Sequence, residues 1–167
     1  MNTSKNLQEA FAGESQANRR YLAFAKKAQA DGFEMIARLF RAAAEAETIH
    51  ALAHLKVLGE VKSTLENLQT AANGEAYEYQ KMYPQFIQEA EAENQKAALA
   101  SFRWASAAEK IHNALYTKAL EVVATGKDLP AATIYLCPVC GNVEIGDDGD
   151  DKCEICGTSR EKFVAFN

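Results

Sequence analysis

Two places in the chain set a glutamate three residues before a histidine, Glu47-x-x-His50 and Glu109-x-x-His112. Residues three apart share one face of a helix, so each pair can grip one metal ion while its carboxylate reaches a second. The surroundings repeat as well. FRAAAEAETIH over 40–50 returns as FRWASAAEKIH over 102–112 at a constant offset of 62. NLQEAFAGE over 6–14 returns as NLQTAANGE over 67–75 at an offset of 61, each copy ending on a lone glutamate, Glu14 or Glu75. The chain therefore reads as a duplicated two-segment unit that supplies the ligands of a dinuclear metal site.

The second chemical signal is cysteine. All four cysteines come late, as Cys137-x-x-Cys140 and Cys153-x-x-Cys156, each followed by glycine. The two-residue gap lets both sulfurs of a pair reach one tetrahedral ion, and Gly141 and Gly157 permit the turn that aims backbone N–H groups at sulfur. Disulfides are the alternative, and the absence of a secretion signal argues against them. Both zinc and iron suit four thiolates. A relay beside a two-electron centre favours iron, while a structural zinc ribbon stays open.

Four helices must position the first site. From about Ser4 to Ala30, Leu7, Phe11, Ala17, Tyr21, Phe24 and Ala28 recur at the helical period, with Glu14 on the same stripe. From about Phe33 to Leu58, Phe33, Ile36, Phe40, Ala43, Glu47, His50 and His54 share a face expected to point inward, and Gly59 is a plausible terminator. Ser63 with Glu66 looks like a capping box opening a third helix with Leu68, Ala71, Glu75, Glu78, Met82 and Phe86 on its stripe, bent by Pro84. A fourth runs from about Asn94 to Thr125 and carries Phe102, Glu109, His112 and Tyr116 inward. Two helices giving Glu-x-x-His and two giving a lone Glu is the ligand plan of ferritin-like di-iron and di-manganese bundles. The expected fold is therefore mainly α, a ferritin-like four-helix bundle over 1–126. A linker over 127–133 and a small metal-stapled knuckle domain over 134–167 complete it.

The bland reading of any single Glu-x-x-His is a solvated pair on an amphipathic helix. It suffices for Glu45, Glu89, Glu91 and Glu93, which lie off the stripes or near a helix end. Six ligands on four stripes would instead bury several charges without compensation unless a metal is present. Carboxylate and imidazole ligation favours iron or manganese. Glu78 has Ala17 as its repeat counterpart and is a seventh candidate ligand, whereas His54 reads as core or a support to the ligands. Tyr21 and Tyr83 stand near the acids on the same faces, where a phenol can hydrogen-bond a ligand or a bound oxygen species. Gly13 and Gly74, each just before its lone glutamate, mark either inheritance from one duplicated segment or a close approach of backbones.

A net charge of −5 on 167 residues gives no basic footprint for nucleic acid. The N-terminus lacks a secretory pattern and no apolar run reaches membrane-spanning length, so a cytoplasmic location is expected.

Glu14, Glu47-x-x-His50, the run Gly74-Glu75-x-x-Glu78-x-x-x-Met82-Tyr83-Pro84, Glu109-x-x-His112 and the two Cys-x-x-Cys-Gly knuckles together resemble rubrerythrin over nearly the whole chain. Glu154 departs from the proline common in the second knuckle of that family. The resemblance implies a non-haem di-iron peroxidase that reduces hydrogen peroxide to water and protects against oxidative stress, with a rubredoxin-like Fe(Cys)4 domain relaying electrons from a redox protein. It implies Glu47 and Glu109 as bridging ligands, Glu14, Glu75 and His112 as terminal ones, and one iron moving between Glu78 and His50 on reduction, with Tyr21 and Tyr83 close by. It also implies a homodimer in which one subunit's thiolate centre faces the other's di-iron site. A ferroxidase or iron-storage protein is the competing reading.

Overall fold

The computed structural model describes residues 2–146 and 149–167. Its elements are α1 (Asn2–Ala30), α2 (Glu34–Leu58), α3 (Thr64–Tyr77), a π-helical turn (Glu78–Met82), α4 (Tyr83–Ala92) and α5 (Lys96–Val123). Strands β1 (Ile134–Leu136), β2 (Val143–Ile145) and β3 (Val164–Phe166) follow, with a short 3-10 turn at Arg160–Lys162. The chain packs as two units, one ending at Lys62 and the other beginning at Ser63.

The first unit is the α1–α2 hairpin. Gly32, at φ 84°, makes the left-handed turn that a side chain would strain. The helices meet along a seam of buried alanines, Ala25 and Ala28 of α1 with Ala37, Ala44 and Ala51 of α2. The three on α2 recur every seven residues and so line up along one side. Asn18 crosses the seam, its amide donating to the Ala44 carbonyl at 2.6 Å and the Thr48 hydroxyl at 2.8 Å. The expected inward stripe of α2 is not the face that meets α1: Phe33 is 62% exposed, Ile36 47%, and His50 is exposed too. At 100° per residue the stripe sits about a quarter turn from the alanine seam. The hairpin closes on its small residues and leaves the larger ones beside the ligands uncovered.

The second unit opens on the expected capping box, in which Ser63 accepts from the Glu66 N–H while the Glu66 carboxylate accepts from the Ser63 N–H. Asn113 of α5 ties the next pair together by donating to the Ala72 carbonyl of α3 at 2.7 Å. Proline does not sit mid-helix as a simple kink. Pro84 falls in the first turn of α4, immediately after the π turn. That turn explains the change of repeat offset. Glu14 lies sixteen residues before the end of α1 and Glu75 seventeen before the end of α4, while the following loops, 31–33 and 93–95, are equally long. The extra residue is therefore housed in the helix, where a π turn holds it.

Beyond α5, Gly126 adopts φ 76°. A three-stranded antiparallel sheet in the order β2-β1-β3 follows, with Ile134 opposite Ile145 on one side and Phe166 on the other. Arg160 packs over the Tyr135 ring at 4.6 Å from its centroid and pairs with Glu144. Among the described residues, no helix is long and apolar enough to cross a membrane.

Candidate metal centres

Each unit carries one carboxylate–imidazole triad. Glu14, Glu47 and His50 in the first bring their ligand atoms within 4.8 Å of one another, as do Glu75, Glu109 and His112 in the second. The Glu-x-x-His spacing acts as expected, with His50 Nδ1 3.2 Å from the Glu47 carboxylate and His112 Nδ1 2.7 Å from that of Glu109.

The acids are crowded. A hydrogen bond from Glu47, then burial and the Glu47 charge, raise the Glu14 carboxyl above its ordinary range. Burial, then a hydrogen bond and repulsion from Glu109, push Glu75 up to about 7. Like charges held this close need a proton or a cation between them. A hard or borderline metal ion meets that need with the oxygen and nitrogen donors at hand, so the triads fit the metal their ligands imply.

His112 is further fixed from behind, since its Nε2 lies 2.9 Å from the Gly141 carbonyl. A carbonyl only accepts, so Nε2 carries the proton and Nδ1, on the Glu109 side, is the nitrogen left for a metal. Gly141 directly follows Cys140, which ties a triad ligand of this chain to its own cysteine knuckle.

Glu78 lies outside the second triad but next to it, at the start of the π turn. Burial, then the charge of Glu75, raise its carboxyl. Tyr83 is raised by burial and then by Glu78, Glu109 and Glu75, which places its phenol among these acids. Tyr21 packs with Phe24 and Phe40 at centroid distances of 6.3 and 6.1 Å, and Tyr83 with Phe86 and Phe102 at 6.2 and 6.3 Å. The duplication thus extends to an aromatic cluster in each unit. His54 is near enough for its charge to favour the ionised form of Glu14. At Gly13 and Gly74 an added Cβ would meet nothing within 4 Å inside its own unit.

The four cysteines converge. Cys137 and Cys156 Sγ are 3.6 Å apart and Cys140 and Cys153 Sγ 3.5 Å. The edge of a tetrahedron with metal–sulfur bonds of about 2.3 Å is about 3.8 Å, so the thiols are set for one ion. The two knuckles are built alike: Gly141 N–H donates to the Cys137 carbonyl and Gly157 N–H to that of Cys153, at 3.0 and 2.9 Å. Both glycines take positive φ, 83° and 72°. Burial pushes the Cys140 thiol up. At Cys156 burial is outweighed by the Thr158 hydroxyl and N–H together with neighbouring thiols, which hold it at about 6. Cys156 is therefore the thiol that meets an incoming cation as a thiolate at neutral pH.

A sequence model of the rubrerythrin family matches residues 5–120. The chain belongs to the rubrerythrin family. It is 36% identical to rubrerythrin-2 of Clostridium acetobutylicum, with 98% of this chain and 96% of that protein covered. It is 37% identical to nigerythrin of Nitratidesulfovibrio vulgaris, covering 98% and 86%. The structure of nigerythrin in its fully reduced, all-ferrous state is similar at a TM-score of 0.59, with 37% identity over 98% of this chain and 86% of the other. The fold class is thus the ferritin-like bundle with a rubredoxin-like knuckle. Rubrerythrins and nigerythrins are di-iron oxidoreductases, and this member keeps both triads and the four-cysteine cluster of a di-iron oxidative-stress protein.

Proposed function

We propose that this rubrerythrin is a hydrogen peroxide reductase in which the two triads hold one di-iron centre and the knuckle holds one iron that refills it. The observation that carries the reading is the bond from His112 Nε2 to the Gly141 carbonyl at 2.9 Å. It gives an electron arriving at the cysteine site a short bonded route to a ligand of the second triad. A purely structural zinc ribbon has no use for that contact.

The reaction takes hydrogen peroxide, two electrons and two protons to two waters. Two ferrous ions, when bound, supply the electrons that break the O–O bond. The protein's part is to hold and orient. Glu47 and Glu109, each beside its own histidine, would hold the two ions together with Glu14, Glu75, His50 and His112. Glu78, on the π turn beside Glu75, would offer the iron pair a further carboxylate as an alternative to the imidazole of His50. Tyr83 keeps its proton at neutral pH because burial and three acids raise it, so it donates a hydrogen bond to a substrate oxygen. Tyr21 is assigned the same part beside the first triad. The setting we assign is cytoplasmic, where thiols stay reduced, with a homodimeric protein and a separate redox protein as electron donor.

Steady-state turnover tests this reading. Iron-loaded protein with a chemical reductant should consume peroxide far faster than dioxygen, and Glu109→Ala should abolish consumption while leaving the thiolate spectrum intact. Rapid oxygen uptake on ferrous addition with slow peroxide consumption would instead establish a ferroxidase.

A further inference from the structure

The two cysteine knuckles are alike in backbone and unlike in one side chain. Two residues beyond its second cysteine, each knuckle turns back on its first: the Asn142 carbonyl accepts from the Cys137 N–H and the Thr158 carbonyl from the Cys153 N–H, both at 2.8 Å. Asn142 and Thr158 therefore occupy equivalent places, and each also gives its own N–H to the nearer sulfur, Cys140 or Cys156. The side chains then part. Asn142 is fully buried and its amide donates to the Glu144 carboxylate at 3.0 Å. Thr158 instead sets its hydroxyl 3.1 Å from Cys156 Sγ.

A thiolate that ligates a metal has lost its proton, so in the loaded knuckle the hydroxyl is the donor. One residue thus supplies the Cys156 sulfur with two donors, N–H and O–H. The hydroxyl is also held in place. The Thr158 carbonyl is pinned by Cys153, the adjoining Ser159 pairs with Lys152, and a β-branched side chain turns little about its first torsion.

Reduction adds one negative charge to an iron held by four thiolates. A hydrogen bond donated to one of those sulfurs therefore stabilises the ferrous form more than the ferric and raises the potential. We infer, on the reading above that the knuckle holds iron, that the Thr158 hydroxyl sets the reduction potential of the relay by donating to the Cys156 sulfur. It acts on the iron through Cys156. The relay is then refilled more readily by its donor and yields its electron only to a stronger acceptor, which suits a centre that empties into an oxidised iron pair.

Anaerobic redox titration of the full chain, reconstituted with iron alone and followed by the ferric thiolate spectrum, tests this. Thr158→Val puts a methyl group where the hydroxyl stands and keeps the bulk that excludes water. It should shift the ferric–ferrous equilibrium about tenfold towards ferric, a fall of about 59 mV. The sulfur-to-iron charge-transfer band should move to longer wavelength, because a sulfur relieved of its donor gives up electron density more readily. Thr158→Ser restores the hydroxyl and should return both readouts close to wild type. A wild-type potential in Thr158→Val, or an equal fall in Thr158→Ser, would overturn the inference. Where valine prevents iron loading, Thr158→Ala decides in its place: a fall in the same direction supports the bond, and an unchanged potential removes it. The potential is read without peroxide. A protein that shows the shift and consumes no peroxide keeps the Thr158 inference and loses the peroxidase reading.

Discussion

Replacing Glu75 with glutamine should strengthen the metal-free protein while weakening its hold on metal. Burial and the neighbouring Glu109 raise this carboxyl from 4.5 to about 7. A group protonated more readily in the folded state destabilises that state once it ionises. The penalty is therefore absent below about pH 4.5, grows as pH rises, and is complete above about pH 7. At 1.36 kcal/mol per pKa unit the full shift corresponds to about 3 kcal/mol. The carboxyl is only partly buried, and solvent screening reduces that to about 1 kcal/mol. Glutamine keeps the shape and removes the charge. Urea unfolding of metal-free protein, followed by helical circular dichroism, should show Glu75→Gln more stable than wild type by about 1 kcal/mol near pH 8, with the gap closing towards pH 4.5. Adding ferrous iron anaerobically should reverse the order, because only wild type gains the binding energy. Equal stability at pH 8, or a gap that does not change with pH, would show that the acids are not crowded and remove the argument for a metal between them.

Three further outcomes follow from the same geometry. Glu78→Ala should slow peroxide turnover more than it lowers iron content, and stopped-flow oxidation at the wild-type rate in an iron-replete variant would contradict its ligand role. Cys156→Ser should bleach the thiolate spectrum, keep a single stoichiometric round of peroxide reduction and lose steady-state turnover. Sustained turnover would mean the knuckle is not the relay. Ser63→Ala removes half of the capping box and should cost about 1 kcal/mol by urea midpoint, and an unchanged midpoint would refute the cap's contribution.

Local signals were legible in the sequence. Gly59, the Ser63–Glu66 box and the glycines after each cysteine pair are set by backbone conformation within a few residues, and all appear where the spacing put them. The triads were legible because i,i+3 spacing is a property of the helix alone. Less was visible where packing decides. The periodicity of α2 marks a face rich in large residues, yet the hairpin closes on Ala37, Ala44 and Ala51, and nothing in period alone says which of two apolar faces meets α1. The π turn had a trace in the one-residue change of repeat offset, but a loop could have absorbed that residue equally well. Asn18, Asn113 and the His112–Gly141 contact depend on partners 26, 41 and 29 residues away and left no local signal.

The central claim is that electrons stored at the paired triads and at the knuckle are spent on hydrogen peroxide. Fully reduced protein, titrated anaerobically with peroxide while both centres are followed, should reach its end point at about 1.5 equivalents per chain, two electrons from the iron pair and one from the thiolate iron. The thiolate iron should oxidise only after the pair begins to turn over. An end point at half an equivalent, or a knuckle that oxidises in the Glu109→Ala variant as fast as in wild type, would contradict it.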